Sequence, residues 1–413
     1  MRILSGRKAA LAVDRLSARS NRLTSHEPKV RSIINNVRRN GDAALRRYST
    51  RWDGLRTNQP LQVSEAELSS ALQNLPAKTR KSLRHAAQNI RRFAEWQKPR
   101  AWTRDRAGTS LGQLVIPLDS VGCYVPGGRY PLVSTLLMTV IPAQVAGVNN
   151  VRVVSPKPSS EVLAAAAMLG VTEFYRIGGA QAIAALAYGT RTIPRVDKIV
   201  GPGNAYVTLA KKLVSFDCSI DFLAGPTEAV VLSDMGTPEF IAADLVSQSE
   251  HDPDALSIFI TTSSRLADSV ASATDALARN NPTARQSLKE CGTILIAQSR
   301  DQAHEWANQL APEHITIEPE DLPHIRNAGS VFVGDYSPQA AGDYATGPNH
   351  VLPTSGQARF RGGLSVLDFL KLITVQRLSR DGLGKIGKTV ERLAEIEGLQ
   401  AHANSVRVRS AHA

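Results

Sequence analysis

The stretch VGCYVPGGRYPLVSTLLMTVIPAQVAG, residues 121–147, decides the fold. A short apolar run, VGCYV, meets a Pro/Gly turn, and the turn opens an apolar segment of helical length that stops at Gly147. A run of that size bounded by turn residues reads as a buried strand, and the longer segment after it reads as a helix. The order then recurs. NVRVVS (150–155) precedes SSEVLAAAAMLG (159–170), EFYRI (173–177) precedes GGAQAIAALAYGT (178–190), and DKIV (197–200) precedes GPGNAYVTLAKKLV (201–214). Strands alternating with helices in this way predict βαβ units, hence a parallel sheet with right-handed crossovers.

A second series follows the same plan: AVVLS (229–233) leads into TPEFIAADLVSQSE (237–250), SIFITT (257–262) into SSRLADSVASATDALA (263–278), and TILIA (293–297) into SRDQAHEWANQL (299–310). ITI (315–317) and SVFVG (330–334) add two further strands. Upstream, KVRSIINNVRRN (29–40), EAELSSALQNL (65–75) and AKTRKSLRHAAQNIRRFAEWQKP (77–99) carry apolar residues at helical spacing. The first twenty residues, MRILSGRKAALAVDRLSARS, read as a short amphipathic surface helix, and 365–406 as helices of a C-terminal appendage.

Bulk properties narrow the function classes. A hydrophobic content of 42% and a charged content of 21% over 413 residues are those of a globular protein with a large core. No apolar run reaches the length of a membrane span. The basic N-terminus lacks the apolar centre of a signal peptide and is interrupted by Asp14, so the expected location is cytoplasmic. The net charge of +12 raises the possibility of a nucleic-acid partner. Its densest cluster, VRRNGDAALRRYSTRW (37–52), has a helical pattern without aromatic-basic interleaving, so solvated helix faces account for it better. Cys123, Cys218 and Cys291 lie far apart and form no CxxC pair, against both a disulfide framework and a thiolate zinc site. A bound metal would therefore need His, Asp, Glu or amide ligands.

Several stretches carry candidate chemistry. YVPGG, IGGAQ and VGPGN each follow a strand and open a helix, where backbone N–H groups can meet phosphate. GPGNAY holds the first two glycines of a GxGxxG fingerprint but Tyr206 in the third place, and no acidic residue is placed to read a ribose. Three such turns in one domain favour a nucleotide-sized ligand. In LVSQSEHDPDA (245–255), a helix capped by Thr237, begun at Pro238 and stopped at Pro253 would carry Gln248 and His251 on one face of its last turn, with Asp244 behind. A metal site, a catalytic dyad and the polar end of a surface helix all fit that stretch. LAPEHITI (310–317) sets Glu313 and His314 directly before a strand, a place suited to an acid/base pair. GDYATGPNHVLPT (342–354) holds Asp343 and His350 in a glycine-rich loop, and EIEGLQAHANSV (395–406) holds Glu397 and His402 on or beside a late helix. The other histidines, His26, His85, His304, His324 and His412, read as surface residues.

Together with VDKIVGPGN (196–204), AGPTE (224–228) and LSVLDFLK (364–371), these motifs resemble the histidinol dehydrogenase family in order and spacing, from roughly residue 30 to 409. The resemblance implies an α/β fold of two Rossmann-like parallel-sheet domains of an incomplete dinucleotide-binding type. Small helical N- and C-terminal extensions would be exchanged in a homodimer with shared active sites. The implied domains are an extension over 1–20, a first α/β domain over 21–122 and 226–364, an NAD-binding domain over 123–225, and a C-terminal extension over 365–413.

The resemblance further implies one zinc ion per subunit, held by Gln248, His251, Asp343 and the partner subunit's His402. It implies a catalytic pair, Glu313 and His314, and NAD contacts at Tyr124, Gln181 and Asn204. Substrate contacts would come from Thr227, Gln248, His251, His314, Asp343, His350, Glu397 and His402. The implied reaction is oxidation of L-histidinol to L-histidine by way of histidinal, the end of histidine biosynthesis, with neither nucleic acid nor membrane as partner. Thr227 stands where many members have serine, which keeps the hydroxyl. A relative, sulfopropanediol dehydrogenase, oxidises an anionic diol; such a substrate would call on Arg129, Arg359 or Arg361, whereas Glu397 suits a cationic amine.

Overall fold

The computed structural model describes residues 1–19, 26–127 and 131–411; Arg129, Tyr130 and His412 lie outside the described residues. The chain forms two compact units, one of Met1–Gln97 with Asp119–Phe369, the other of Lys98–Leu118 with Leu370–Ala413. The larger unit is α/β and contains two parallel sheets.

The five-stranded sheet is built around Ser120–Tyr124. Asn150–Val154 and then Glu173–Tyr175 lie on one side of it, Lys198–Val200 and then Ser219–Ile220 on the other. Helices Val133–Ala146, Ser160–Met168, Gly179–Tyr188 and Ala205–Val214 follow the first four strands in chain order. Ser120–Tyr124 is buried at every position, as an uninterrupted apolar run requires when helices cover both sheet faces. Chain order along the sheet reverses between Ser120–Tyr124 and Lys198–Val200, so the carboxyl ends of those two strands border a crevice.

The six-stranded sheet repeats the plan around Glu228–Leu232. Leu256–Thr261, Thr293–Ile296 and Arg2–Ser5 follow on one side, His314–Ile317 and Ser330–Val333 on the other. Arg2–Ser5 departs from the expected N-terminal helix. These residues pair in parallel with Thr293–Ile296, and Gly6, at φ +52°, breaks the chain into the helix Gly6–Ser17. Four residues are too few to show a period, and an unpaired sheet edge offers hydrogen bonds that no local pattern announces.

The smaller unit has an antiparallel sheet in the order Leu370–Leu378, Thr109–Pro117, Trp102–Arg106, followed by helices Arg380–Ile396 and Gln400–Ala411. Leu370–Leu378 thus corrects the expectation of helix throughout the C-terminal region. Its β-branched centre, Ile373-Thr374-Val375, pairs in a nine-residue register with a strand some 250 residues earlier in the chain, where a local reading does not reach. The sheet leaves Trp102, Leu111, Leu114, Leu372, Ile373 and Val375 exposed.

One buried ion pair lies close to the crevice. Lys211 is 2% exposed, meets the Asp221 carboxylate and donates to the Gly201 carbonyl at 2.9 Å, while Asp221 accepts from the Gly201 N–H at 2.8 Å. Lys211→Ala is expected to cost about 3–5 kcal/mol in urea unfolding, because it strands a buried carboxylate. The double variant Lys211→Met, Asp221→Asn should recover most of the loss. An unchanged unfolding midpoint in the single variant would contradict this role.

Candidate active site

A cavity of about 190 Å³ lies against the amino ends of Glu228–Leu232 and His314–Ile317. Pro202, just past the carboxyl end of Lys198–Val200, contributes to its wall. The polar groups therefore sit at the amino edge of the six-stranded sheet, opposite to the carboxyl-end position usual for doubly wound sheets. The first residues of a strand leave N–H groups for side chains to use. Glu313 Oε2 accepts from the Glu228 N–H at 2.9 Å and from the Thr227 hydroxyl at 2.7 Å.

The structure gathers Thr227, Gln248, Glu313, His314 and Asp343 into one hydrogen-bonded group. Thr227 Oγ1 also lies 3.2 Å from Gln248 Oε1, and Gln248 Nε2 donates to Asp343 Oδ2 at 3.0 Å. His314 stands between two carboxylates, with Nε2 at 3.4 Å from Asp343 Oδ1 and Nδ1 at 3.6 Å from Glu313 Oε2. That Nδ1 is buried and has no hydrogen-bond partner. His350 Nδ1 meets the Asp343 carbonyl oxygen at 2.7 Å, which fixes the ring, and its Nε2 lies 3.4 Å from the Thr135 hydroxyl.

Local structure differs from the sequence reading in three places. The helix Pro238–Ser249 ends before His251, so Gln248 lies in its last turn and His251 just beyond its cap; Thr237 sits at the N-cap without a side-chain capping bond. Asp343 lies on a short helix, Gln339–Tyr344, rather than in a loop. His304 is buried and bonds to Asp321 at 2.7 Å, so it is not a surface residue.

Electrostatics follow from burial. Removal from water pushes the Glu313 carboxyl up to about 7, against the pull of His314, Thr227 and the Glu228 N–H. Burial alone would lower His314, but Glu313 and Asp343 outweigh it and hold the imidazole up at about 9. Asp343 is held below the usual carboxylate range: burial would raise it, and His314 overrides burial. His350 is lowered, chiefly by burial.

The donor set suits a borderline divalent ion. Gln248 and Asp343 touch, and His251 and Asp343 line the same cavity, giving an amide, an imidazole and a carboxylate without sulfur. Among the described residues, no three His, Cys, Asp or Glu side chains form a metal-holding group on their own. His402, on the exposed face of Gln400–Ala411, and Glu397, the exposed C-cap of Arg380–Ile396, belong to the smaller unit.

A second cavity, of about 510 Å³, opens at the crevice of the five-stranded sheet and is lined by Tyr124, Gln181 and Asn204. Tyr124 ends the central strand, Gln181 lies in the first turn of Gly179–Tyr188, and Asn204 caps Ala205–Val214 by accepting from the Tyr206 and Val207 N–H groups. Lys29, Asp53 and Lys157 share this cavity. Sequence reasoning missed Asp53, which closes the helix Glu27–Trp52 and sits 125 residues before Gly178, whose N–H it accepts at 3.1 Å.

A family model described as histidinol dehydrogenase matches residues 16–410. The curated histidinol dehydrogenase of Methanothermobacter thermautotrophicus is 48% identical over 395 residues, covering 92% of each chain. That of Methylococcus capsulatus is 46% identical over 419 residues, covering 98% of this chain and 96% of its own. The crystal structure of histidinol dehydrogenase from Elizabethkingia anophelis superposes with a TM-score of 0.93 at 33% identity, covering 99% of this chain and 98% of that one. The chain belongs to the histidinol dehydrogenase family. It is an oxidoreductase.

Within this histidinol dehydrogenase family member, two arginines considered for an anionic substrate are engaged elsewhere. Arg359 donates to the carbonyls of Gln309 and Ser17, and Arg361 to the Asp221 carbonyl and the Asp368 carboxylate; neither lines the 190 Å³ cavity. No helix among the described residues is long and apolar enough to cross a membrane.

Proposed function

We propose that the protein oxidises L-histidinol to L-histidine through histidinal, with two NAD-dependent hydride transfers and one zinc ion per subunit, as a cytoplasmic homodimer. The observation that carries the reading is the union of Thr227, Gln248, Glu313, His314 and Asp343 in one hydrogen-bonded group beside His251 and His350. Gln248, His251, Asp343 and the partner subunit's His402 would hold the zinc. When bound, zinc supplies a Lewis-acid anchor for the nitrogen atoms of the amino alcohol. The nicotinamide, in the larger cavity of the incomplete Rossmann-like domain, supplies the hydride acceptor.

His314 takes the hydroxyl proton as the hydride leaves carbon. Glu313, oriented by the Thr227 hydroxyl at 2.7 Å and the Glu228 N–H at 2.9 Å, then removes a proton from water attacking the aldehyde. The hydrate then gives its hydride to a second NAD and its hydroxyl proton to His314, which has released the first proton to solvent, and the acid results. His350, its ring fixed on the Asp343 carbonyl, presents its other nitrogen to the substrate. Glu397 would meet the substrate's ammonium, and among the described residues no arginine lines the cavity to compete for a sulfonate. The apolar face left bare on the small unit's sheet supports a second copy as its cover.

The decisive assay supplies zinc and NAD with L-histidinol and, in parallel, sulfopropanediol. Nicotinamide reduction with histidinol alone is the expected result; turnover only of the diol would overturn the substrate assignment. The same assay has a pH signature. Both bases work unprotonated, and burial holds the Glu313 carboxyl up at about 7 while Glu313 and Asp343 hold the His314 imidazole up at about 9. The rate should therefore climb as pH rises through that window and fall away below it. A rate that is flat between about 7 and about 9 would remove these two groups from the proton-transfer steps.

A further inference from the structure

The usual seat for a dinucleotide's phosphates, the N–H groups at the start of the helix after a glycine turn, is already filled at two of the three turns. The Asp53 carboxylate accepts from the Gly178 N–H and from the Gln181 amide, each at 3.1 Å, and the Tyr124 hydroxyl accepts from the Gly179 N–H at 3.1 Å. At the next turn the buried Asp221 carboxylate takes the Gly201 N–H at 2.8 Å, and Asn204 takes those of Tyr206 and Val207. A phosphate arriving at either turn would have to displace a carboxylate of its own charge. The positive charge in the 510 Å³ cavity comes instead from two side chains, Lys29 and Lys157.

The two lysines differ. Lys29 is held by Tyr206, with its ammonium 3.3 Å from the hydroxyl and 5.1 Å from the ring centroid. Among the described residues Lys157 makes no hydrogen bond and no close ion pair; its charged neighbour is the Asp53 carboxylate, which feels its attraction. It lies just past the carboxyl end of Asn150–Val154, the strand next to the central one, where dinucleotide folds read the adenosine ribose or its phosphate. Its backbone is left-handed, at φ +46°, a conformation that costs a lysine about 1–2 kcal/mol. Its stem runs over Gly54, where a Cβ would come within 2.6 Å of Lys157 Cε. A side chain at Gly54 would push the ammonium off its place beside Asp53.

We propose that Lys157 binds a phosphate of the dinucleotide, in place of the glycine-turn N–H groups that Asp53 and Asp221 occupy. This inference rests on the cofactor reading given above. The phosphate is either the diphosphate, common to NAD and NADP, or the 2′-phosphate of NADP alone.

Fluorescence titrations of the zinc-loaded enzyme with NADH and with NADPH test it, using wild type, Lys157→Gln, Lys157→Arg and Lys29→Gln. A lost charge-assisted contact is worth about 1.5–3 kcal/mol, about a ten- to hundredfold rise in dissociation constant. Lys157→Gln is expected to show that rise, with Lys157→Arg largely restoring affinity. The loss should fall on KM for the nucleotide rather than for the alcohol. A rise for both nucleotides assigns the diphosphate, and a rise for NADPH alone assigns the 2′-phosphate. Dissociation constants within about twofold of wild type for both nucleotides would overturn the proposal, as would a loss confined to Lys29→Gln. If wild type binds neither nucleotide, the cofactor reading itself fails, and this proposal with it.

Discussion

His314→Asn is expected to lower kcat by about 10²–10⁴-fold, the span of a lost general base, while zinc content stays at the wild-type level. The expectation rests on where the ring stands. His314 is 3% exposed, lies between the Glu313 and Asp343 carboxylates, and keeps an unpaired buried Nδ1. Asparagine occupies less volume but retains polarity at the start of the strand, so Asp343 and Gln248 keep their mutual contact. Metal analysis separates the two roles cleanly. A variant that loses both activity and zinc would mean that His314 belongs to the metal site, and the division of labour between base and ligands would be wrong.

The second large effect concerns the shared site. His402→Asn and Asp343→Ala homodimers should each lose most of their zinc and activity, since each removes one of the four proposed ligands and would open the coordination shell. On the proposed arrangement, mixed dimers of the two variants would rebuild one complete site, with Gln248, His251 and Asp343 from the first chain and the partner subunit's His402. Their activity should rise to about half that of wild type per dimer. Mixed dimers as inactive as the parents would contradict a site completed across subunits.

Much of the sheet architecture was legible because buried parallel strands are continuous apolar runs and, in the five-stranded sheet, are followed by turns rich in glycine or proline. VGCYV and AVVLS announce the central strands of both sheets in this way. Leu370–Leu378 was not legible, because its nine residues alternate too weakly to distinguish strand from helix and its partner lies far away in the chain. Arg2–Ser5 failed for want of length. At the site, Gln248, His251, Glu313 and His314 stood out as polar groups at element ends, and Asp343 as one in a glycine-rich loop. Their mutual distances did not, since three separate elements bring them together.

Asp53 and Lys157 carried no local signal at all. Asp53 reads as an ordinary helix-ending acid until the fold sets it under Gly178 and Gln181. Lys157 reads as a solvated loop residue until the cavity forms around it. The glycine turns were read as places where N–H groups could meet phosphate; in IGGAQ and VGPGN the N–H groups of 178, 179 and 201 are taken by side chains of the protein itself.

The account's central claim is that one cavity performs both oxidations on a single amino alcohol. Its most direct test is the ratio of NADH formed to histidinol consumed when histidinol is limiting and zinc and NAD are in excess. The account predicts two nicotinamides reduced for each histidinol, with histidine as the only product. One nicotinamide reduced for each histidinol, with the aldehyde accumulating in solution, would contradict it.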